Sequence, residues 1–259
     1  SGRPGPAVLL VPRDVWDLPV PARPAAWPQS LSEVAPAVTP SSQALHDLEA
    51  AIRGAKRPVM IAGAGTRQDG AEDAVVALSR RAQIPVATTL SDVGAYPNSD
   101  ELYLGVIGTA GHPSTHRYIN EEADLILVVG SRMELMLSAP IQAALERCDV
   151  WFVDVETSCV TERFPQAKCV EGGLQNTIEA LADRWPVRLV GASRPEGYVH
   201  QRFLPQLAAP TRLAEANACP PDALLQSEAL AMLQGALPGG GHLLFDAGNC
   251  AASALHYLS

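Results

Sequence analysis

Residues 57–65, RPVMIAGAG, form a short apolar run that is closed by two glycines. A run of this kind, without polar alternation, is typical of a strand that is buried on both faces of a parallel sheet. The same form returns in IPVATTL (84–90), ADLILVVGS (123–131) and VWFVDVE (150–156). Amphipathic segments lie between these runs, so strand and helix alternate along the chain. The alternation predicts an α/β fold: an open parallel sheet with helices on both faces.

Helices are predicted where apolar residues repeat at helical spacing. Leu45, Leu48 and Ile52 share one face of QALHDLEAAIRGA, and Ser41 and Ser42 before it are suitable N-cap residues. The segment 91–114 is rich in turn residues and is predicted to be a long loop. The remaining predictions are helices over 69–83, about 115–122, about 139–147 and 174–185, and a short strand over KCVE (168–171).

Two proline-rich stretches predict linkers, because each proline fixes φ and removes a backbone donor. The predicted parts of the chain are the end of a first domain (1–16), a linker (17–40), a central α/β domain (41–186), a second linker (187–221) and the start of a further domain (222–259). The first part contains the apolar run AVLLV, which is predicted to be a strand. In the last part, Asp222 is predicted to cap a helix that precedes a strand and turn in GGGHLLFDAGN (239–249). A single strand or βα unit at the end of a chain cannot bury its own apolar surface, so we expect both ends of the chain to be cut.

The overall charge of the chain limits its partners. The formal net charge is −9, which argues against a nucleic-acid partner because phosphate binding needs clustered Lys and Arg. No apolar run has the length of a membrane span, so we expect a cytoplasmic protein without a membrane contact. The cysteines show no CxxC pair and predict small, partly buried thiols; they are Cys148, Cys159, Cys169, Cys219 and Cys250.

Ligands of open parallel sheets bind beyond the carboxyl ends of the strands. Glycines there let a ligand approach the backbone, Arg132 can pair with a phosphate, and Asp154 or Glu156 can accept hydrogen bonds from ribose hydroxyls. This pattern predicts a nucleotide-binding crevice. The alternative is that glycines and acids at strand ends only make tight turns and cap helices. The residues at these ends are Gly63, Gly65, Thr88, Thr89, Gly130, Ser131, Arg132, Asp154 and Glu156.

Two more specific sites are disfavoured by the spacing of residues. The NAD fingerprint GxGxxG would need a glycine where Gln68 stands, and Asp92 is only a loose substitute for its acidic residue. His112 and His116 are four residues apart, a spacing that can turn two imidazoles the same way. Without an HExxH pattern, a structural role is favoured over zinc binding, and Pro113 between them predicts the start of a helix.

Taken in order, these segments resemble thiamine-diphosphate-dependent enzymes of the acetolactate synthase, pyruvate oxidase and 2-keto acid decarboxylase type. GRPGPAVLLVPRDV (2–15) resembles the end of their pyrimidine-binding domain, and the segments between 57 and 156 resemble their central domain. HLLFDAGNCAASALHYL (242–258) is similar to the opening βα unit of their diphosphate-binding domain. The resemblance covers essentially the whole chain.

The resemblance implies a fragment of an enzyme that decarboxylates a 2-keto acid, followed by carboligation or protonation. Its cofactors would be thiamine diphosphate and Mg²⁺, with thiamine as the electron sink. The activating glutamate of the family would precede Ser1, and the GDG…N segment that holds the metal would follow Ser259. We therefore expect no catalytic and no metal-binding residue within this chain. The family also implies a homodimer or homotetramer.

The resemblance further implies which residues contact cofactors. Relatives bind FAD or ADP in the central domain, and the corresponding positions here are Gly63, Gly65, Thr89, Leu90, Gly108, Gly111, Gly130, Arg132, Asp154 and Glu156. The GxRFDDR pattern of FAD-binding synthases is present as GSRMELM (130–136), which keeps only the first arginine. The turn that approaches the diphosphate of thiamine corresponds to Gly248, Asn249 and Cys250.

Two other functions remain open from the sequence. One is a nucleotide-binding or assembly module that is derived from the same central domain and has no catalytic role. The other is an NAD-using enzyme of the deoxyhypusine synthase or sirtuin type, whose sheet has a similar topology. The absence of a paired-cysteine zinc site weakens the sirtuin version.

Overall fold

The computed structural model describes residues 6, 8–19, 38–186, 224–237, 244–246 and 248–257. In this part of the chain, parallel strands form one six-stranded sheet with the order β3-β2-β1-β4-β5-β6. The strands are β1 Pro58–Ala62, β2 Val86–Thr89, β3 Tyr103–Ile107, β4 Leu125–Val129, β5 Asp149–Asp154 and β6 Lys168–Glu171. The predicted α/β fold with an open parallel sheet is confirmed.

Helices connect the strands and cover both faces of the sheet. They are α1 Arg13–Trp16, α2 Ser42–Gly54, α3 Ala64–Gln68, α4 Glu72–Ala82, α5 Pro113–Glu121, α6 Leu135–Ser138, α7 Gln142–Arg147, α8 Ser158–Arg163, α9 Leu174–Ala182, α10 Gln226–Ala236 and α11 Asn249–Tyr257. Two 3₁₀ turns, Val93–Ala95 and Ala139–Ile141, complete the described elements. Helix α2 begins as predicted, because Ser41 is its N-cap and Ser41 Oγ accepts the N–H of Ala44 at 3.5 Å.

The hydrophobic core consists of two layers, one on each face of the sheet. Helices α2, α4 and α9 close the first layer with fully buried side chains such as Leu48, Leu78 and Ile178. Helices α5 and α7 close the second with Ile119 and Leu145. Because β1 and β4 lie in the middle of the sheet, both of their faces are covered, which explains their continuous apolar sequences.

Strand β3 lies within the segment 91–114, which was predicted to be a loop, so that prediction is wrong. The strand forms the edge of the sheet and pairs with β2, and the register shifts where Val86 pairs with Tyr103 and Ala87 pairs with Gly105. Gly105 has a φ of +115°, a conformation that glycine adopts without steric cost. This irregularity explains why the strand was not predicted. A glycine in the middle of a strand usually marks a bulge, and here it interrupts the apolar run.

The predicted strands near the two ends of the chain are not found in the described residues. Residues 8–12 and 244–246 have no strand partner there, and Leu9 and Leu244 are 86% and 92% exposed. A strand needs a neighbour to satisfy its backbone groups, so these runs stay outside the sheet. The predicted linker over 187–221, most of the linker over 17–40, and Asp222 and Cys219 lie outside the described residues.

Candidate functional site

The carboxyl edge of the sheet has its reversal point between β1 and β4. From β1 the chain proceeds to β2 and β3 on one side, and from β4 it proceeds to β5 and β6 on the other. Gly63 follows β1 and Gly130 follows β4, so the turns after both strands meet at this point. In doubly wound sheets such a point is where the binding crevice lies.

Three of the predicted glycines pack directly on one another at this reversal point. A Cβ on Gly63 would lie 2.6 Å from Ser131 Cβ, and a Cβ on Gly65 would lie 2.7 Å from Gly130 Cα. Gly130 itself has a φ of +64°, and a Cβ there would lie 2.6 Å from the backbone nitrogen of Thr66. Side chains at these positions would therefore force the two turns apart.

Backbone hydrogen bonds join the same two turns. The N–H of Gly65 donates to the carbonyl of Gly130 at 2.9 Å, and the N–H of Gly63 donates to the carbonyl of Val129 at 2.9 Å. The N–H of Thr66 donates to the carbonyl of Gly63, also at 2.9 Å. The glycines thus have a packing role of their own, and their contact with a nucleotide stays a prediction.

Arg132, Asp154 and Glu156 lie beside this packed centre. Arg132 Nη2 is 3.9 Å from Glu156 Oε2, and the two side chains are 38% and 43% exposed. Asp154 is buried, and its Oδ1 accepts the N–H of Glu156 at 3.4 Å. The solvent-facing pair Arg132 and Glu156 is therefore open to a ligand, whereas Asp154 supports the turn that carries Glu156.

The second group of predicted residues lies at the ends of β2 and β3. A Cβ on Gly108, which has a φ of +116°, would lie 2.7 Å from Leu90 Cδ1 and 3.1 Å from Leu137 Cδ2. Gly111 turns back on this strand end, and its N–H donates to the carbonyl of Gly108 at 2.7 Å. Thr89 is fully buried, and its Oγ1 has no hydrogen-bond partner among the described residues.

Helix α6 brings the two groups together. Its Met136 carbonyl accepts both the N–H and the hydroxyl of Thr109, at 2.8 and 3.0 Å. Thr109 follows β3 and Met136 follows β4, and in the sheet β2 and β1 lie between these two strands. The segment therefore spans the carboxyl ends of β2 and β1. Leu135 and Met136 are 70% and 62% exposed, so the segment presents an apolar surface beside Arg132.

A nucleotide is compatible with this edge, as judged from the side chains present. The open Arg132 guanidinium can pair with a phosphate, and the Glu156 carboxylate beside it can accept hydrogen bonds from ribose hydroxyls. At the reversal point, the N–H groups of Gly65 and Thr66 already donate to the carbonyls of Gly130 and Gly63. The residues that remain to bind a ligand are therefore the side chains that surround this centre.

The sites that the spacing disfavoured are occupied by other contacts. Arg67 donates two hydrogen bonds of 2.8 Å to Asp92, and this contact raises the pKa of Arg67. Asp92, the loose substitute for the acidic residue of an NAD site, is therefore already paired. The described residues contain no group of three or more His, Cys, Asp or Glu that could hold a metal ion.

Burial raises the pKa of the Cys148 and Cys169 thiols, which makes both poor nucleophiles.

The turn predicted to contact thiamine diphosphate begins helix α11. Gly248 has a φ of +121°, and a Cβ there would meet no atom of the described residues within 4 Å. Cys250 is exposed, and its Sγ donates to the carbonyl of Asp246 at 3.5 Å. No described residue therefore covers the turn on the side of Gly248, and its contact with a diphosphate stays a prediction. The side chain of Asn249 lies outside the described residues.

Sequence reasoning missed two side chains that hold these segments in place, and it gave a third, His112, only a general structural role. Arg67 anchors the segment after β2, and Asp69 Oδ2 accepts the N–H groups of Leu174 and Gln175 at the start of α9. His112 links β3 to α11. Of the three, only His112 carried a signal, because a residue just before the predicted helix-starting Pro113 occupies the N-cap position.

Comparisons with known proteins agree with this architecture. The family model for the central domain of thiamine pyrophosphate enzymes matches residues 45–181. The large subunit of acetolactate synthase from Haemophilus influenzae is 26% identical over 181 residues, which are 69% of this chain and 31% of that protein. The large subunit of acetolactate synthase isozyme 1 from Escherichia coli is 38% identical over 136 residues, which are 52% of this chain and 23% of that protein.

A solved structure supports the fold independently. A Mycobacterium smegmatis protein assigned as a thiamin diphosphate-dependent enzyme matches with a TM-score of 0.57 at 16% identity, over 86% of this chain and 40% of that chain. The chain thus spans less than half of the length of each of these relatives. No helix in the described residues is long and apolar enough to cross a membrane. Because the family model covers more than half of the sequence, the chain belongs to the thiamine pyrophosphate enzyme family, of which residues 45–181 form the central domain.

Proposed function

We propose that this chain is part of a thiamine-diphosphate-dependent, acetolactate synthase-like enzyme that acts on a 2-keto acid. The observation that carries the proposal is the match of residues 45–181 to the central domain of the family. The acetolactate synthases among the relatives favour carboligation after decarboxylation. A cytoplasmic homodimer or homotetramer that uses Mg²⁺ is part of the same proposal.

The residues of this chain would bind and position cofactors in such an enzyme. Thiamine diphosphate, when bound, would supply the electron sink for the decarboxylation. The open turn at Gly248 and Cys250 would receive the diphosphate end of this cofactor, at the start of α11. The groups that move protons during the reaction would come from parts of the enzyme other than residues 1–259.

An activity assay tests this proposal on the full-length protein that contains these residues. The purified protein is freed of cofactors and then given Mg²⁺ and a 2-keto acid, with and without thiamine diphosphate. The release of CO₂ is measured for pyruvate, 2-ketobutyrate and a branched 2-keto acid. We expect release from at least one of them only when thiamine diphosphate is present. A folded protein that binds thiamine diphosphate and releases no CO₂ from any of them would contradict the proposal.

We further propose that the carboxyl edge of the central domain binds a nucleotide such as FAD or ADP. Arg132 would pair with a phosphate, and Glu156 would accept hydrogen bonds from ribose hydroxyls. Both side chains are open to solvent and 3.9 Å apart.

The substitution Arg132→Ala tests the nucleotide site. A hydrogen bond to a charged group contributes roughly 1.5–3 kcal/mol, so we expect affinity for the nucleotide to fall by at least about ten-fold. Titration calorimetry of the cofactor-free protein with FAD and with ADP measures the change. Arg117→Ala, which removes an exposed arginine from α5, is the matched control and should bind as the wild type does. Equal affinities of the two variants would rule out a phosphate contact at Arg132.

A further inference from the structure

His112 lies between strand β3 and helix α5, and its ring packs against the part of β3 where the pairing with β2 is irregular. The residue is the N-cap of α5 and is 1% exposed. Its ring lies against Gly105, where a Cβ would be 2.9 Å from His112 Nδ1. The positive φ of Gly105 and the absence of a side chain there make room for the imidazole. The bulge that hides β3 in the sequence therefore accommodates one buried histidine.

Two hydrogen bonds define the tautomer of this imidazole. The N–H of Val106 donates to His112 Nδ1 at 2.9 Å, so Nδ1 is an acceptor and carries no proton. In a neutral ring the proton is then on Nε2. His112 Nε2 lies 3.1 Å from the carbonyl oxygen of Leu255, which accepts a hydrogen bond from the Nε2–H group.

The acceptor at Leu255 belongs to the last turn of helix α11. Carbonyls of the last four residues of a helix lack partners within the helix, so an external donor stabilises this end. His112 and Leu255 are 143 positions apart in the sequence. Ala254, the residue before Leu255, is only 2% exposed, so this part of α11 is packed against other residues. The contact therefore attaches α11 to the edge of the central sheet.

We propose that His112 is a positioning residue for the cofactor turn at the opposite end of α11. The helix has nine residues and is roughly 14 Å long, and it begins directly at the turn that Gly248 opens. A short helix moves as a rigid unit, so holding its last turn also holds its first. The inference rests on the proposed function, because it assigns the diphosphate of thiamine to this turn.

Two substitutions separate the two nitrogens of the ring. His112→Asn keeps an acceptor close to the position of Nδ1 and loses the donor to Leu255. His112→Gln places a donor near the position of Nε2 and loses the acceptor for the N–H of Val106. His46→Asn makes the same chemical change on the exposed surface of α2 and is the matched control.

The experiment uses the full-length protein and has two readouts. Hydrogen exchange of the cofactor-free protein, followed by mass spectrometry, reports how firmly residues 249–257 are held. Calorimetric titration with thiamine diphosphate and Mg²⁺ reports affinity. For His112→Asn we expect faster exchange over 249–257 and about five-fold weaker binding, the effect of losing one buried hydrogen bond. His112→Gln should bind as the wild type does but melt at a lower temperature.

Each other result overturns the inference. If His112→Asn exchanges and binds as His46→Asn does, the contact with Leu255 does not position α11. If exchange becomes faster but affinity stays unchanged, the contact is structural and does not reach the cofactor. A wild-type protein that binds no thiamine diphosphate refutes the proposed function and the cofactor role of His112 together. In that case the exchange data still decide whether His112 holds α11.

Discussion

Gly130 has a backbone conformation that other residues adopt at a cost. Its φ is +64°, and any Cβ would lie 2.6 Å from the backbone nitrogen of Thr66. Neither the positive φ nor the close backbone contact can be relieved by moving a flexible side chain. Glycine at this position therefore allows the turns after β1 and β4 to lie this close together.

We predict that Gly130→Ala lowers the free energy of unfolding by about 1–3 kcal/mol, the usual cost of a strained backbone position. Gly54→Ala is the control, because a Cβ at the end of α2 meets nothing within 4 Å. That substitution should raise stability by about 0.5–1 kcal/mol. Urea unfolding followed by circular dichroism measures both. Equal unfolding midpoints for the two variants would show that the turns can separate without cost.

Asp100 is a buried carboxylate that fixes the segment before β3. Burial raises the pKa of Asp100, but hydrogen bonds from the N–H of Leu102 and the guanidinium of Arg80 outweigh it, so the pKa is below its ordinary value. A carboxyl group whose pKa is lower in the folded state stabilises the fold above its unfolded pKa, about 3.9. This contribution is lost as the pH falls through the lower, folded-state pKa.

We therefore predict that Asp100→Asn lowers the free energy of unfolding by about 1–2 kcal/mol at pH 7. The difference from wild type should shrink as the pH falls below about 4. Urea unfolding of both proteins from pH 7 to pH 3 measures this. Glu101→Gln, which changes the exposed neighbouring acid, should show no such convergence. A wild-type advantage that stays constant down to pH 3 would contradict the predicted direction of the pKa.

At the scale of elements, helix α9 depends on a cap that comes from a distant part of the chain. Its N-cap residue is Gly173, which has no side chain to offer. Asp69, beyond the end of α3, accepts the N–H groups of Leu174 and Gln175 instead. A carboxylate at a helix N-terminus satisfies orphan donors and interacts favourably with the helix dipole.

We predict that Asp69→Ala lowers the melting temperature by an amount equivalent to about 1 kcal/mol. Hydrogen exchange should become faster over 174–182 and stay unchanged over α2. Asp47→Ala, on the exposed face of α2, is the control and should leave α9 unchanged. The same rate of exchange over 174–182 in both variants would mean that α9 does not need this cap.

The elements that could be predicted from sequence are those whose burial is uniform. RPVMIA and ADLILVV are apolar throughout because β1 and β4 are covered on both faces, so local composition was sufficient. Strand β3 was missed because Gly105 interrupts its apolar run to admit the ring of His112. Contacts such as Asp69 with α9 leave no local pattern, since the two partners are more than a hundred residues apart.

At the scale of the whole molecule, the candidate site could be predicted only in part. The alternation of strands and helices placed Gly63, Gly130, Arg132 and Glu156 at one edge of the sheet, because all carboxyl ends of parallel strands lie there. It could not indicate that the glycines pack on each other, which depends on the distance between two turns. It also could not indicate that His112 meets the carbonyl of Leu255, which depends on where α11 lies.

We propose that this chain is part of a thiamine-diphosphate-dependent enzyme for 2-keto acids, and an experiment with labelled substrate decides this. The full-length protein is incubated with [2-¹³C]pyruvate and Mg²⁺, with and without thiamine diphosphate, and the products are followed by ¹³C NMR. We predict that labelled acetolactate accumulates only in the presence of thiamine diphosphate. Labelled pyruvate that remains unchanged, in a sample shown to be folded and to contain the cofactor, would contradict the claim.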